Sequence, residues 1–175
     1  NIVARYTREN NIPTFGICLG MQCMIVEYAR NVLGLADANS REMNETTPNN
    51  VVDIMEEAKA HLNDTMRMGN FDCALIDGSK LKDIYGVNCI QERHHHRYEL
   101  NNKYKEQLEA AGLKCVGINP DTKLVEAVEV VEHPWYIGVQ YYPQYNSTVL
   151  KPHPLFLSFI KAPIENNSKL IINYY

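Results

Sequence analysis

The apolar positions near the N-terminus have helical spacing, then form a short continuous run, then return to helical spacing. Ile2, Val3 and Tyr6 are spaced as on a helix, and residues 12–17 are typical of a short buried strand. The next helix is predicted by apolar side chains at intervals of three and four residues: Met21, Met24, Ile25, Tyr28, Ala29 and Val32. Helix, strand and helix in this order predict an α/β fold with a mostly parallel sheet.

Apolar runs along the rest of the chain predict strands over residues 51–54, 71–76, 113–118, 124–131 and 136–141. Asn102 is a candidate N-cap for a helix over residues 103–111 that Gly112 would end, and residues 153–160 predict a closing helix. Residues 39–48 are polar and predict a loop. Because the pattern opens on a helix, a first strand is expected upstream, which would make this chain N-terminally truncated.

Composition narrows the possible functions. The 175 residues suit one domain with a hydrophobic core. A net charge of -4 without a long basic run argues against nucleic-acid binding. No apolar run approaches the roughly 18 residues that span a bilayer, and no signal peptide opens the chain, so no membrane association is expected. Five scattered cysteines favour free thiols and a cytoplasmic location.

Residues 16–20, which read G-I-C-L-G, have the form of a nucleophile elbow with cysteine at its centre. A strand that turns sharply into a helix would project Cys18 into a cleft, and the flanking glycines would let the backbone come close. The helix N-terminus is expected to lower the pKa of the thiol, and the N–H of Leu19 could stabilise an oxyanion. The alternative is a buried structural cysteine between two packing glycines. Cys23, inside the helical pattern, is expected in the core.

Six segments together resemble one family. Residues 15–22 (FGICLGMQ) are similar to the nucleophile motif of class I glutamine amidotransferases. The others resemble the glutaminase domain of CTP synthases: residues 38–42 (ANSRE), 65–69 (TMRMG), 93–99 (RHHHRYE), 133–135 (HPW) and 139–141 (VQY). The resemblance makes residues 1–162 one amidotransferase domain, leaves residues 163–175 unassigned, and implies a three-layer, flavodoxin-like α/β fold.

The resemblance also implies an activity. Domains of this family hydrolyse glutamine to glutamate and ammonia. The ammonia would pass to a synthetase domain, absent from this sequence, that aminates UTP to CTP with ATP and Mg²⁺. The implied partners are glutamine and that synthetase domain, the full-length protein would be a homotetramer, and the glutaminase domain itself would need no cofactor. The missing upstream part would carry a glycine-rich oxyanion loop.

Carried over position by position, the resemblance assigns roles to five residues: Cys18 as nucleophile, the Leu19 backbone as oxyanion donor, and Gln22, Glu42 and Arg97 as substrate-binding groups. The charges suit free glutamine, since a glutamate can accept from its ammonium and an arginine can bind its carboxylate through two N–H groups. For Glu42 the alternative is an ordinary solvated carboxylate on a loop.

The chain departs from the family pattern at the end of the triad strand. The family reads V-Q-[FY]-H-P-E, whereas residues 139–144 read V-Q-Y-Y-P-Q, so Tyr142 and Gln144 occupy the positions of the triad histidine and glutamate. A thiol needs a group that accepts its proton and later protonates the departing ammonia. Histidine suits both tasks with a pKa near 6.5, whereas that of tyrosine is near 10. Glutamine hydrolysis is therefore expected to be impaired.

Two smaller departures concern other segments. His95 replaces an arginine between His94 and His96, and we expect an altered lid or surface loop there rather than a metal site, because a contiguous triplet does not easily converge on one ion. Asn63 and Asp64 stand where the family has two glycines, and both tolerate a left-handed backbone.

Two other functions stay open at this stage. One is a catalytically dead module that binds glutamine or serves assembly. The other is an active glutaminase or γ-glutamyl hydrolase that uses a different base. His133 and His153 are candidates for such a base, but both precede a proline and both match ordinary family positions.

Overall fold

The computed structural model describes residues 1–54 and 66–172, with side chains as far as residue 165. The helices are α1 Ile2–Glu9, α2 Leu19–Asn31, α3 Lys80–Tyr85, α4 Lys105–Ala110 and α5 Pro154–Ile172. The strands are β1 Thr14–Ile17, β2 Ala38–Ser40, β3 Asn49–Asp53, β4 Arg67–Leu75, β5 Cys89–His96, β6 Glu99–Leu100, β7 Leu113–Ile118, β8 Val125–Val130 and β9 Tyr136–Val139. Short 3-10 turns cover Asn102–Tyr104 and Pro143–Asn146. None of the helices in the described ranges is long and apolar enough to cross a membrane.

The strands form a six-stranded sheet in the order β1-β9-β8-β7-β4-β5 and a three-stranded sheet in the order β2-β3-β6. In the larger sheet, β1 and β9 run parallel, and the other neighbouring strands described are antiparallel. The larger sheet as described is therefore mixed, with one parallel pair, where the sequence predicted mostly parallel strands. A parallel pair needs a crossover of about a dozen residues or more, and the connections over residues 119–124 and 131–135 are too short for one.

Helices cover both faces of the larger sheet, which gives three layers. Met21 and Ile25 of α2 belong to one buried apolar cluster, and Leu81 of α3 and Leu155 of α5 belong to another. Neighbouring strand residues such as Cys115 and Val116 enter different clusters, since successive side chains on a strand point to opposite faces. The α/β class and the three layers are thus as predicted.

Several local assignments need correction. The 3-10 turn over Asn102–Tyr104, which leads into α4, is capped by Asn101 rather than by Asn102. The Asn101 side chain accepts from the Lys103 N–H at 3.1 Å. Helix α5 continues well beyond residue 160, through Pro163 and into the unassigned tail. Strand β2 overlaps the start of the segment predicted as a loop, at residues 39–40. The altered residues 63–64 lie outside the described residues.

The segment R-H-H-H is not a lid or surface loop, because it ends strand β5. Glu92, His94 and His96 alternate with exposed residues and are buried. In most strands the buried positions carry apolar side chains, whereas the buried positions of this strand carry polar ones. The pattern of hydrophobic residues therefore gave no sign of this strand.

A buried guanidinium explains why polar side chains face inward here. Arg67 is 1% exposed and donates to the carboxylates of Glu99 at 2.9 Å and Glu126 at 2.8 Å. Beside this group, His94 Nδ1 lies 2.8 Å from His96 Nε2 and 3.5 Å from a Glu126 oxygen. Burial alone would lower the pKa of Arg67, but the two carboxylates outweigh it and raise that pKa.

Two of the three consecutive histidines do converge, because alternate residues of a strand share a face. Ligand atoms of His94, His96 and Glu126 lie within 4.8 Å of one another, a grouping that could hold a metal ion. Arg67 already places a positive charge against Glu126, which disfavours a second cation. His95 is exposed on the opposite face, so the triplet does not act as one unit.

These two histidines predict a loss of stability in acid. Burial lowers the pKa of His94 to about 2 and that of His96 to about 3, whereas both would titrate near 6.5 in the unfolded chain. The unfolded state then binds more protons below pH 6.5, so the free energy of unfolding falls as the pH drops from about 6.5 to 3. Each histidine contributes at most about 1.4 kcal/mol per pH unit, partly offset by the raised pKa of Glu126.

Urea unfolding at several pH values checks this prediction. The double variant His94→Gln, His96→Gln should flatten the dependence of the unfolding free energy on pH over this range. His95→Gln is the matched control, because its side chain is exposed, and it should leave the dependence unchanged. An equal slope in all three chains would contradict the assignment.

Candidate active site

Strands β1 and β9 bring the central residues of the site together. They run parallel with Ile17 opposite Val139, so the residues that follow them meet at one edge of the sheet. Cys18 follows β1 and caps helix α2, with φ 50° and ψ -106°. Its N–H donates to the Val139 carbonyl oxygen at 2.8 Å. A positive φ at a residue other than glycine is strained, and such strain clusters at functional sites. The predicted strand-turn-helix elbow is confirmed.

The two glycines around Cys18 have different roles. A Cβ at Gly16 would lie 2.2 Å from the Met24 sulfur and 2.8 Å from the backbone of Gly20 and Met21, so only glycine fits. A Cβ at Gly20 would meet nothing within 4 Å among the described residues. The expectation that both glycines permit close approach therefore holds for Gly16 and is wrong for Gly20.

This difference gives a matched pair of variants. Gly16→Ala should lower the free energy of unfolding by about 1–3 kcal/mol, because two of the clashing atoms are backbone and cannot turn away. Gly20→Ala should change it little or raise it by about 0.5–1 kcal/mol, since alanine favours helix more than glycine does. Urea denaturation of both variants measures the difference. Equal stability of the two would contradict the close packing of Gly16 under the elbow.

The Cys18 side chain faces a cleft that most of the predicted site residues share. Its lining includes the substrate-binding candidates Gln22, Glu42 and Arg97, with Leu19 beside the sulfur. Residues that the resemblance did not single out for binding complete the cleft: Met66, His95, His96 and Tyr98. Tyr142 also lines it. Glu42 is exposed, but it is not remote from the site.

Burial of Cys18 outweighs the effect of the helix terminus. It raises the pKa of the thiol above its ordinary value, and the Glu42 charge adds to the rise. The Tyr142 hydroxyl, the Leu19 N–H and the Gln140 amide act in the opposite direction, without compensating fully. The prediction of a lowered thiol pKa is therefore wrong, because it took account of the helix terminus and not of the desolvation.

Tyr142 lies directly against Cys18. Its hydroxyl donates to the carbonyl oxygen of His95 at 3.4 Å. The same hydroxyl is in hydrogen-bond contact with the Cys18 sulfur. Burial, and then the contact with Cys18, raise the pKa of the Tyr142 phenol well above its usual value. The Tyr142 phenol therefore keeps its proton and is poorly suited to accept one from the sulfur.

Gln144 is not at the cleft in the described structure. It is exposed in the 3-10 turn over Pro143–Asn146 and does not line the pocket that contains Cys18. Glu92 anchors this turn, since it accepts from Asn146 Nδ2 at 2.7 Å. The turn is thus held in place although position 144 carries no charge.

The sequence of this chain matches that of a known enzyme family over most of its length. A model of the family "Glutamine amidotransferase class-I" matches residues 2–162. The chain belongs to this family. A CTP synthase from Bacteroides thetaiotaomicron is 62% identical over 167 residues, which are 94% of this chain and 31% of that protein. A CTP synthase from Porphyromonas gingivalis is 52% identical over 96% of this chain and 32% of its own length. The amidotransferase chain thus spans about a third of these relatives.

A solved structure agrees with the fold of this class-I amidotransferase. The Trypanosoma brucei CTPS glutaminase domain with bound acivicin has a TM-score of 0.86 and 38% identity, over 93% of this chain and 64% of that one. A GMP synthase subunit from Thermoplasma acidophilum, described as putative, has a TM-score of 0.60 at 16% identity and supports the fold alone. The predicted class I amidotransferase fold is confirmed.

The two histidines considered as replacement bases have other partners in this amidotransferase. His153 Nε2 lies 2.8 Å from Glu92, and His133 Nε2 lies 3.2 Å from the Thr7 carbonyl oxygen. Neither is among the residues that line the Cys18 cleft. All five cysteines fall within the described ranges and are free thiols, as predicted, and Cys23 is half-buried rather than fully in the core.

Proposed function

We propose that this chain is the glutaminase domain of a CTP synthase in which the hydrolysis of glutamine is impaired. The observation that carries the proposal is the contact between Cys18 and Tyr142 in a cleft that keeps the groups suited to glutamine. The nucleophile is present on its strained turn. The side chain beside it is a phenol with a raised pKa, where the reaction needs a proton acceptor.

Binding of glutamine requires charges at both ends of its backbone. The Glu42 carboxylate suits the ammonium group, and the Arg97 guanidinium suits the carboxylate through two parallel N–H groups. Both side chains are exposed and line the cleft beside Cys18. These groups would place the side-chain amide of glutamine next to the sulfur, with the Leu19 N–H available to the developing oxyanion.

Hydrolysis then fails at proton transfer. Attack by the Cys18 sulfur on the amide carbon forms a carbon–sulfur bond, and the thiol proton must leave as this happens. Departure of ammonia breaks the carbon–nitrogen bond and needs a proton delivered to the nitrogen. Tyr142 has a raised pKa and keeps its proton, so it cannot serve first as base and then as acid. Gln144 has no charge to support an imidazolium.

The proposal extends to the full-length protein. As in a CTP synthase, ammonia from this domain would serve a synthetase domain that aminates UTP with ATP and Mg²⁺, within a cytoplasmic homotetramer. Because glutamine hydrolysis is impaired, such a protein would depend on free ammonia as its nitrogen donor. A matched pair of full-length assays, with glutamine or with ammonium chloride as nitrogen donor, would show activity with ammonium alone.

Calorimetry with glutamine tests whether the cleft binds its substrate. The unaltered chain should bind glutamine, and Glu42→Gln or Arg97→Gln should weaken the affinity by about tenfold to a hundredfold, the value of a hydrogen bond to a charged group. Arg93→Gln is the matched control, since Arg93 is exposed on strand β5, just before Arg97 in the sequence, and does not line the cleft. Equal affinity in the Arg93 and Arg97 variants would contradict the assignment of Arg97.

A catalytically dead module is the alternative that Tyr142 favours. Glutamine binding without any turnover in the full-length protein would indicate a sensor, and the absence of binding would indicate an assembly module. An active enzyme with a different base is a further alternative, because His95 and His96 line the cleft. Rapid labelling of Cys18 by acivicin, together with steady turnover that His95→Gln abolishes, would support that alternative.

A further inference from the structure

Two buried side-chain amides connect the Cys18 sulfur to the main chain of Tyr98. Gln140 Nε2 lies 3.5 Å from Cys18 Sγ, and Gln140 Oε1 accepts from Gln22 Nε2 at 3.3 Å. Gln22 Nε2 also donates to the Tyr98 carbonyl oxygen at 2.8 Å. Gln140 is 0% exposed and Gln22 is 3% exposed, so neither amide can exchange these partners freely for water.

The main-chain carbonyl of Tyr98 sets the orientation of both amides. A carbonyl oxygen only accepts, so Gln22 must turn its Nε2 toward Tyr98 and Gln140. Gln140 must then offer Oε1 to Gln22, which leaves its own Nε2 to face the sulfur. If Gln22 were turned over, its oxygen would face two other oxygens. The orientations of the two amides therefore depend on each other.

This arrangement leaves one buried acceptor without a donor in the described part of the chain, on a residue that lines the cleft. Gln22 Oε1 is buried and has no hydrogen-bond partner among the described residues. The residue lines the Cys18 cleft. A buried acceptor without a donor costs free energy, which a bound molecule with an N–H group would recover. Free glutamine carries such donors in its ammonium and carboxamide groups.

We propose that Gln140 is a positioning residue that acts on the nucleophile and on the substrate-binding amide at once. It directs an N–H at the Cys18 sulfur, and it holds Gln22 so that Oε1 faces the bound substrate. Gln140 is fixed for this task directly after β9, where its main-chain N–H donates to the Glu126 carbonyl oxygen at 2.8 Å. The role for Gln22 rests on the proposed function, while the contact with Cys18 does not.

Two substitutions at position 140 separate the two effects. Gln140→Leu removes both polar ends, so glutamine affinity and the rate of Cys18 alkylation by iodoacetamide at pH 8 should each fall by about tenfold. Gln140→Glu keeps an acceptor for Gln22 but faces the sulfur with a carboxylate. Alkylation should again slow by about tenfold, while glutamine affinity stays within about threefold of the original. Peptide mass spectrometry locates the label, with the exposed Cys89 as internal reference.

A double-mutant cycle shows whether Gln140 acts through Gln22. In a chain that carries Gln22→Met, the further change Gln140→Leu should weaken glutamine binding no more, because the amide that Gln140 orients is gone. Circular dichroism melting confirms that each variant is folded.

Additive losses of affinity, or an unchanged alkylation rate in both Gln140 variants, would overturn the proposal. If the unaltered chain binds no glutamine, the proposed function fails. The alkylation rates still decide whether Gln140 supports the sulfur. Should Gln140→Leu not fold, Gln140→Glu and Gln22→Met carry the same comparison.

Discussion

Replacing Tyr142 with histidine and Gln144 with glutamate in one chain is expected to raise ammonia release from glutamine by at least about a hundredfold. Loss of a triad base in comparable enzymes costs on the order of 10³ to 10⁶ in turnover. Recovery should be partial, because the neighbouring groups are arranged around a phenol. An imidazole at position 142 would accept the Cys18 proton and then deliver a proton to the amide nitrogen, which departs as ammonia. Steady-state ammonia release with excess glutamine at pH 8 measures the effect.

Single substitutions serve as controls for this rescue. Gln144→Glu alone should leave the rate at its starting value, because a carboxylate cannot act without an imidazole to orient. Tyr142→Phe should also leave it low, since it removes a hydroxyl and adds no base. Tyr142→His alone should give a smaller increase than the double variant. If the double variant is no faster than Gln144→Glu alone, the triad explanation is wrong.

Arg67→Met should lower the free energy of unfolding by roughly 3–5 kcal/mol, the usual effect of removing one partner from a buried ion pair. The substitution takes the guanidinium from Glu99 and Glu126, both fully buried. Domains of this size are stable by only about 5–15 kcal/mol, so the substitution removes a large part of the unfolding free energy. Urea unfolding followed by circular dichroism measures the loss.

The matched control for Arg67 is an exposed arginine in a simple pair. Arg5 donates to Glu9 at 2.9 Å, and both side chains are largely exposed to solvent. Arg5→Met should therefore change the unfolding free energy by about 1 kcal/mol at most. A similar small change for Arg67→Met would show that the buried cluster does not hold β4, β6 and β8 together.

The strongest predictions from sequence concerned segments whose buried side chains are apolar. Helix α2 and strand β7 were found where their periodicity placed them, because that periodicity reflects burial against the sheet. Strand β5 was missed for the opposite reason. Its inward positions Glu92, His94 and His96 are polar, and they are buried only because distant residues supply charges and hydrogen bonds. Strand direction was also out of reach, since it depends on connections between elements.

For the candidate site, the sequence motifs supplied the candidate residues, and the structure adds their environment. Cys18, Gln22, Glu42, Arg97 and Tyr142 share one cleft, although sequence separates them widely. The sequence shows a cysteine at a helix N-terminus but not the burial that raises its pKa. It also contained Gln140 in the segment before Tyr142, without any sign that this amide reaches the sulfur. Only the parallel pairing of β1 with β9 reveals that contact.

The most direct test of the central claim is the rate of ammonia release from glutamine by the unaltered chain, measured beside Cys18→Ala. If Tyr142 blocks proton transfer in a site that still binds its substrate, both chains release ammonia at the same negligible rate, while calorimetry detects glutamine binding to the unaltered chain. Steady ammonia release by the unaltered chain, lost in Cys18→Ala, would contradict the account.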